Sequence, residues 1–346
     1  MTPMGRIGAA VAGLPPGAFA FVMATGIVSV GLDQQGLSAA SNVLLVVAVV
    51  AYVLLVLALV GRLVGHRERA VADLHDPRRA FGYFTVVAGS GVLAVRLLEV
   101  QPTVSTVLLA VASVVWLVLG YAVPWAAVLS RAQRPVLTEA NGTWFIWVVA
   151  SQSVATASAG LEPLVDTGQD ALAVLAVVAW SVGVVLYAAC AVFVALRLVQ
   201  YPLTPEDLDP PYWVSMGAVA ITVVAGAKIV EMTSTPMVDA TSGLIAGLVV
   251  LCWAWATWLI PVLVAVGVWR HVVHRLPLRY ESTWWSIVFP LGMYAVAGMY
   301  LGRADSLPLV ERIGSAWLWV AVVAWACAAA AMVLGRLPSV RHTVEA

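Results

Sequence analysis

One short pattern occurs five times in this chain, with 62 to 72 residues between the starts of successive copies. Each copy opens on a polar or proline-containing flank, has an aromatic residue at its fourth or fifth place, and ends on a small residue at its twelfth place. The five copies are 15–26, 78–89, 140–151, 209–220 and 281–292. Self-similarity at a nearly fixed period is typical of a structural unit repeated along the chain. The sequence therefore predicts five equivalent units.

The hydropathy of the chain places these units in a membrane. Hydrophobic residues make up 62% of the 346 residues, charged residues only 10%, and the mean hydropathy is +0.97. A soluble protein of this length carries more charge, and about 20 apolar residues cross a bilayer as a helix. The sequence predicts an all-α integral membrane protein, a single transmembrane domain over residues 1–346 with ten helices. Their approximate bounds are 17–32, 40–62, 80–100, 103–125, 142–160, 170–198, 211–231, 241–267, 283–301 and 314–334.

The distribution of positive charge predicts the orientation of the chain. Ten spans put both termini on one side, and that side then carries fourteen of the 18 lysine and arginine residues. The positive-inside rule makes this side cytoplasmic, so we expect a multi-pass protein of the cell (plasma) membrane with both termini in the cytoplasm. Each copy of the pattern would begin at the cytoplasmic face, where its aromatic residues would form an interfacial belt. The repeated unit is then a helical hairpin, and all odd-numbered helices run in the same direction.

The small residues at the twelfth place have two interpretations. Small residues let helices approach closely in membranes, which is a packing role. Alternatively, the odd-numbered helices line a central pore, and the small residues leave its lumen open. The equal depth of all five positions favours the lumen. We therefore expect the pore to be lined by Thr25, Gly26, Gly89, Ser151, Ala220 and Gly292.

Charged residues stand at the outer ends of two odd-numbered helices. Arg96 precedes Glu99 by three residues and Lys228 precedes Glu231 by three, so each pair shares a helix face. Arg96 and Lys228 lie 18 and 19 residues after the starts of their copies, which makes them structural equivalents. They are interpreted either as cations that snorkel to the interface or, together with Arg303, as an outer vestibule that concentrates anions.

The ninth helix carries a proline inside the span. Pro290 removes a backbone hydrogen bond and kinks the helix, and Phe289 stands beside it. A bulky ring next to a kink on a pore-lining helix would close a narrow pore. The alternative is that Phe289 is an ordinary packing aromatic.

Chemistry other than transport has little support in the sequence. Neither HExxH nor GxSxG occurs, and no histidine lies inside a predicted span. The cysteines Cys190, Cys252 and Cys327 each stand alone in a different span. The formal net charge of zero argues against a nucleic-acid partner. We expect no catalytic residue, no cofactor and no metal site.

Six segments in succession resemble the tellurite-resistance/dicarboxylate transporter family, which includes slow-type anion channels of plant guard cells, fungal malate uptake proteins and fungal sulfite efflux pumps. The segments are PPGAFAFVMATGI (15–27), DLHDPRRAFGYFT (73–85), NGTWFIWVVASQS (141–153), PYWVSMGA (211–218), WATWLIPVLVAVGVWRH (255–271) and WWSIVFPLGMY (284–294). The resemblance implies five hairpins around a central pore, usually in a homotrimer, and a gating phenylalanine on the ninth helix. Phe289 is the residue that matches, with Ile287 and Met293 as the alternatives if the alignment is shifted.

The predicted function is therefore transport of small anions through a gated hydrophobic pore, the anion being malate or another C4-dicarboxylate, sulfite or an inorganic ion. The alternative is a proton-coupled secondary carrier for C4-dicarboxylates or sulfite. No charged residue stands near the middle of an odd-numbered helix, and this favours the pore over a proton relay. An intramembrane enzyme is the third and weakest hypothesis.

Overall fold

The computed structural model describes residues 3–130, 135–233 and 235–335, and all regular secondary structure in those ranges is helical. Four residues of the predicted cytoplasmic charge lie outside them, namely Arg131, Arg134, Arg336 and Arg341. Ten helices in the described ranges are long and apolar enough to span a membrane, which confirms the predicted number. We number them in chain order: α1 Pro16–Gln34, α2 Ser38–Gly65, α3 Ala80–Leu97, α4 Pro102–Leu129, α5 Gly142–Leu164, α6 Gln169–Gln200, α7 Pro210–Val230, α8 Pro236–Val273, α9 Ser282–Ala304 and α10 Pro308–Leu334.

Most even-numbered helices extend further than the hydropathy of the sequence predicts. The prediction for α8 is 241–267, whereas the helix runs Pro236–Val273. A helix starts and ends where its backbone is capped, and this point lies beyond the apolar stretch that lipid requires. Proline at the first helical positions of α4, α8 and α10 marks such starts.

The ten helices form an inner ring and an outer layer. In the most apolar stretch of each odd-numbered helix 78% to 89% of the residues are buried, against 11% to 22% in the even-numbered helices. Each odd-numbered helix packs against the even-numbered helix that follows it and against the odd-numbered helices on either side. α9 packs against α1, so the inner ring is closed. The outer helices expose large apolar side chains such as Leu57, Val114 and Leu251, as lipid-facing helices do.

Every inner helix begins with a 3₁₀ turn, and these five turns coincide with the five copies of the sequence pattern. The turns are Pro16–Phe19, Ala80–Phe84, Gly142–Trp144, Pro210–Trp213 and Ser282–Trp284. Neighbouring turns touch through their backbones at Gly142, where a Cβ atom would lie 2.3 Å from the backbone of Pro211. Only glycine permits this approach.

Most of the aromatic residues that are predicted to form an interfacial belt are buried inside the protein, and several of them pack between neighbouring inner helices. Phe81 of α3 stacks on Trp144 of α5 with ring centroids 4.9 Å apart. Phe21 of α1 meets Trp285 of α9 edge-on at 4.7 Å. Such pairs contribute about 0.5–1.5 kcal/mol each beyond the area they bury, so the aromatic residues stabilise contacts around the ring.

Candidate functional site

A cavity of about 490 Å³ opens at the ends of the inner helices that lie opposite the 3₁₀ turns. We call it the vestibule. All five inner helices, or the turns that follow them, contribute to its wall. Its lining residues are Ile27, Val30, Asp33, Gln34, Gly91, Val92, Val95, Arg96, Leu98, Glu99, Ser153, Thr156, Ile221, Val224, Lys228, Glu231, Met293, Val296, Tyr300, Arg303 and Ala304.

The vestibule brings together the three cations singled out in the sequence. Three carboxylates also line the cavity and balance the three positive charges, so its formal charge is zero. The six residues are Arg96, Lys228, Arg303, Asp33, Glu99 and Glu231. Arg96 and Lys228 lie about one helical turn deeper than the carboxylates that follow them by three residues. The cavity therefore has two deep cations and a rim of mixed charge.

Arg96 is held by the hairpin of α1 and α2. Its Nε donates to the hydroxyls of Ser29 and Ser41, both at 3.2 Å. Its Nη2 donates to Ser41 at 2.9 Å and to Asn42 at 3.1 Å, and it forms an ion pair with Asp33 at 3.0 Å. The residue is only 8% exposed. Arg96 is thus an anchored and neutralised cation, and its ion-pair partner comes from α1.

Lys228 is held differently, by an aromatic ring. Its Nζ lies 4.7 Å from the centre of the Tyr300 ring on α9, which is within the range of a cation–π contact. The hydroxyl of Tyr300 donates a short hydrogen bond to Glu231, which lies one turn further out on the α7 side. Within the part of the chain that the structure describes, the Lys228 ammonium has no hydrogen-bond acceptor and no ion pair within 4.0 Å. It is the deep cation that a ligand can approach.

Arg303 lies at the rim and is tied to two neighbouring helices. Its Nη2 donates to Gln34 of α1 at 2.8 Å, and its Nε donates to the Met299 carbonyl at 3.0 Å. Glu311 of α10 is 3.9 Å away. Arg303 is exposed, so its charge is screened by solvent.

The floor of the vestibule is apolar, with two hydroxyls. Aliphatic side chains from α1, α3, α7 and α9 surround the hydroxyls of Ser153 and Thr156 on α5. Ser153 donates to the Val149 carbonyl at 2.8 Å and Thr156 donates to the Gln152 carbonyl at 2.7 Å. Because each hydroxyl proton is used within α5, the floor offers few donors to an anion.

Phe289 lies on α9 between the floor of the vestibule and the 3₁₀ turns. It lies four residues before Met293, which lines the floor, and it continues the stripe of Met293, Val296 and Tyr300 on α9. Its side chain is 1% exposed. Pro290 lies inside α9, and Gly217 of α7 makes room for its ring, since a Cβ there would lie 2.9 Å from it. The spacing along α9 thus puts Phe289 on the helix face that lines the vestibule, one turn nearer the 3₁₀ turns.

A family model for voltage-dependent anion channels (SLAC1) matches residues 13–333 of this chain. The chain belongs to this family. It is 54% identical over 167 residues to an uncharacterized membrane protein of Mycobacterium tuberculosis, a match that covers 46% of the chain and 85% of that protein. It is 23% identical over 321 residues, 90% of each chain, to an uncharacterized transporter of Methanocaldococcus jannaschii. The predicted resemblance is confirmed, and the protein is a multi-pass membrane transporter of anions.

The twelfth-place glycines of this anion-channel family member lie in contacts between neighbouring inner helices. A Cβ on Gly26 would lie 2.7 Å from Val92, and one on Gly292 would lie 2.8 Å from Ile27. Gly89 lies against α1 at ordinary contact distance. Val92 and Ile27 line the vestibule, so Gly26 and Gly292 each accommodate a lining side chain of the adjacent helix. This placement favours the packing interpretation for the glycines.

The remaining predicted lining residues also face other helices. Thr25 accepts a hydrogen bond from Trp325 of α10 at 3.0 Å, and Ser151 accepts one from Trp116 of α4 at 2.8 Å. Ala220 is fully buried. None of the six predicted pore-lining residues is among those that line the vestibule. The floor is formed one or two residues later in every copy, by Ile27, Gly91, Ser153, Ile221 and Met293.

Two residues of the vestibule were not singled out in the sequence analysis, although the repeat contains a signal for both. Asp33 lies 18 residues after the start of the first copy, and Tyr300 lies 19 after the start of the fifth. These are the offsets of Arg96 and Lys228. Applied to the first and fifth copies, the two offsets find the residue that pairs with Arg96 and the ring that contacts Lys228.

Several arginines at the end of the molecule that carries the 3₁₀ turns have structural partners. Arg62 and Asp73 form a buried ion pair that joins α2 to the helix Arg67–Leu74. Arg197 donates to the Thr138 carbonyl at 2.9 Å and pairs with Asp207 at 3.4 Å. These arginines therefore connect helices to neighbouring segments, in addition to any effect of their charge on the orientation of the protein in the membrane.

Proposed function

We propose that anions cross the membrane along the axis enclosed by the five inner helices, from the vestibule past a gate at Phe289. The observation that carries the proposal is the closed inner ring with a charged cavity to which all five of its helices contribute. The side chain of Phe289 is buried one turn beyond the vestibule on α9, and a bulky apolar ring at that place would close a conduction path as a hydrophobic constriction. Pro290 lies next to it inside α9, and a proline in a helix is a point at which the helix can bend.

The cations of the vestibule support anions as the transported species. Arg96, Lys228 and Arg303 come from three different inner helices and line one cavity. Three carboxylates balance these charges over the whole cavity, but among the described residues the Lys228 ammonium has no ion pair within 4.0 Å, so it can attract an anion locally. The transported anion is a C4-dicarboxylate such as malate, sulfite or an inorganic anion, and the family resemblance supports all three.

The carboxylates of the rim favour a second candidate, a proton-coupled carrier. Asp33, Glu99 and Glu231 are titratable groups beside the proposed path, and a proton relay commonly uses such groups. A channel carries current down the anion gradient alone, whereas a coupled carrier also responds to a pH gradient.

Flux into proteoliposomes tests both candidates. Purified protein is reconstituted, and uptake of nitrate, chloride, malate and sulfite is measured with and without a pH gradient. Uptake through a channel stops when the membrane potential is clamped to oppose anion entry, and it does not depend on the pH gradient. Protein-free vesicles are the control. If no anion crosses faster than in the control, transport along this axis by the reconstituted protein is refuted.

We further propose that the protein is a homotrimer in the plasma membrane with both termini in the cytoplasm. The charge asymmetry of the sequence supports the orientation. The outer helices expose many large apolar side chains, and such faces suit both lipid and a neighbouring subunit. Mass measurement in detergent and accessibility of cysteines introduced near each terminus test these points.

A further inference from the structure

We propose that the end of α8 and the loop that follows it bind anionic phospholipid, with the exposed arginines Arg275 and Arg279 as the contacts to the lipid phosphate. We call this segment, residues 269–281, the basic loop. It leads directly into the 3₁₀ turn that starts α9, and none of its residues lines the vestibule. The inference therefore goes beyond the proposed transport path and does not depend on it.

The first step is that α8 is too long to end inside the hydrocarbon core of a bilayer. It has 38 residues, from Pro236 to Val273, and is about 57 Å long at a rise of about 1.5 Å per residue. The hydrocarbon core is about 30 Å thick, and the bilayer with its headgroups about 40–45 Å. The last turn of the helix, Trp269–Val273, is a π-helix. This turn and the basic loop therefore lie at the level of the lipid headgroups.

The second step is that the basic loop exposes apolar and cationic side chains together. Val272, Val273 and Leu278 are 67%, 63% and 70% exposed. Arg275 and Arg279 are exposed as well, and among the described residues neither has a carboxylate within 4.0 Å. Basic clusters next to a membrane-spanning helix attract anionic lipids. A phospholipid also covers the aliphatic side chains, which a free phosphate ion does not, so the pattern favours the lipid.

The third step is that the fold holds the backbone of the basic loop in place. The Leu276 amide donates to the Arg270 carbonyl at 3.2 Å, and the Nδ1 of His271 donates to the Leu276 carbonyl at 2.9 Å. The Tyr280 hydroxyl accepts a hydrogen bond from Trp285 of α9 at 3.1 Å. Because this backbone is already ordered, a lipid that binds to its side chains does not have to order the loop first.

The fourth step is the backbone conformation of Arg275. Its φ of +55° lies in the left-handed region. Glycine is the usual residue in this conformation after the end of a helix, because a residue with a Cβ atom adopts it at a cost in free energy. Glycine would therefore end α8 more cheaply at this place. An arginine in a strained conformation points to a role that depends on its side chain.

The test counts the lipids bound to the full-length protein in detergent by native mass spectrometry. Phosphatidylglycerol or phosphatidylcholine with the same acyl chains is added to the micelles. We expect phosphatidylglycerol to bind at least about tenfold more tightly, since each of two cations at a membrane surface favours an anionic lipid about fivefold. Equal binding of the two lipids would overturn the inference. Displacement of phosphatidylglycerol by an excess of inorganic phosphate would also overturn it, since the site would then take the free ion.

Variants of the two arginines assign the preference to the basic loop. Arg275→Gly with Arg279→Gln removes both cations, and glycine suits the left-handed backbone, so the variant should fold. Its preference for phosphatidylglycerol should fall to within about twofold, and Arg279→Gln alone should lower the preference about fivefold. Arg312→Gln is the matched control, because it removes an exposed cation near the start of α10, and it should keep the preference.

The melting temperature in detergent shows whether each variant is folded. A folded double variant that keeps the full preference for phosphatidylglycerol would overturn the inference, as would an equal loss in Arg312→Gln. If the double variant does not fold, Arg279→Gln decides. None of these outcomes depends on anion flux, so failure of the proposed function is measured separately.

Discussion

Lys228 and Tyr300 join the two helices that form one side of the vestibule. The ammonium of Lys228 on α7 lies 4.7 Å from the ring centre of Tyr300 on α9, and the hydroxyl of the same tyrosine donates to Glu231. One aromatic side chain therefore positions both a cation and a carboxylate of the neighbouring helix. Because the positions of Lys228 and Glu231 both depend on Tyr300, substitutions of this tyrosine can separate the contributions of the two charges.

Tyr300→Phe keeps the ring and removes the hydroxyl, whereas Tyr300→Leu removes both contacts. We expect Tyr300→Leu to raise the nitrate concentration that half-saturates uptake about threefold, since a cation–π contact contributes about 0.5–2 kcal/mol to positioning the ammonium. Tyr300→Phe should leave that concentration unchanged, because it keeps the ring. Equal effects of the two substitutions on half-saturation would contradict a role for the ring.

Phe289→Ala should raise anion conductance, because it removes the ring that we propose as the gate below the vestibule. The matched control is Phe145→Ala on α5, where a phenylalanine of similar burial packs against Tyr187 of α6 with ring centroids 5.3 Å apart. Both changes should cost about 3–5 kcal/mol of stability. Only the first should increase current in planar bilayers, and unchanged current in folded Phe289→Ala would refute the gate.

Arg96→Ala should slow anion uptake from the vestibule side and also destabilise the protein. Removing the guanidinium leaves Asp33 without its ion pair and Ser41 without two donors. Asp33→Asn should have the opposite effect on uptake, because it removes a negative charge and leaves Arg96 unneutralised. Initial rates at low ionic strength measure both effects, which high salt should reduce. If neither substitution changes the initial rate of uptake, Arg96 has only a structural role.

Arg62→Met should lower the free energy of unfolding, by at most about 3–5 kcal/mol, without altering anion selectivity, since it removes the buried one of two arginines that pair with the Asp73 carboxylate. Arg62 and Asp73 are 3% and 5% exposed. Arg79 also contacts Asp73 at 2.8 Å, so part of the charge remains compensated. Adding Asp73→Asn should recover part of the loss. Thermal unfolding in detergent gives the stabilities, and a double variant no more stable than Arg62→Met would contradict the coupling.

Stability should fall as the pH rises from about 4 to about 7, in part through Asp209. Burial raises the pKa of this carboxyl to about 7, Arg270 opposes the rise and Glu281 adds to it. The folded protein then holds a proton that the unfolded chain releases, so this contribution is present at low pH and is lost as the pH passes the raised value. Asp209→Asn should flatten this part of the profile, measured as melting temperature against pH. An unchanged slope would exclude Asp209 as its source.

The number of helices and the class of protein were accessible from the sequence because each depends on local quantities. Whether a stretch of about 20 residues prefers lipid is a sum over its own side chains, and helices are the structure that satisfies their backbones there. The five copies of the pattern likewise mark local structure, the 3₁₀ turns that start the inner helices.

Only the tertiary structure decided which face of each inner helix turns toward the axis. The inner helices are apolar on all sides. Their sequences therefore have no polar–apolar periodicity that would show whether Gly26 or Ile27 faces the cavity. That choice was made by packing, with Gly26 accommodating Val92 and Gly292 accommodating Ile27. The partner of Arg96 was decided in the same way, because Asp33 reaches it from another helix, whereas Glu99, only three residues away in the sequence, lies in the turn after α3. The composition of a helix is a property of one segment of the chain. The rotation of that helix about its own axis and the pairing of its side chains depend on which other segments it packs against.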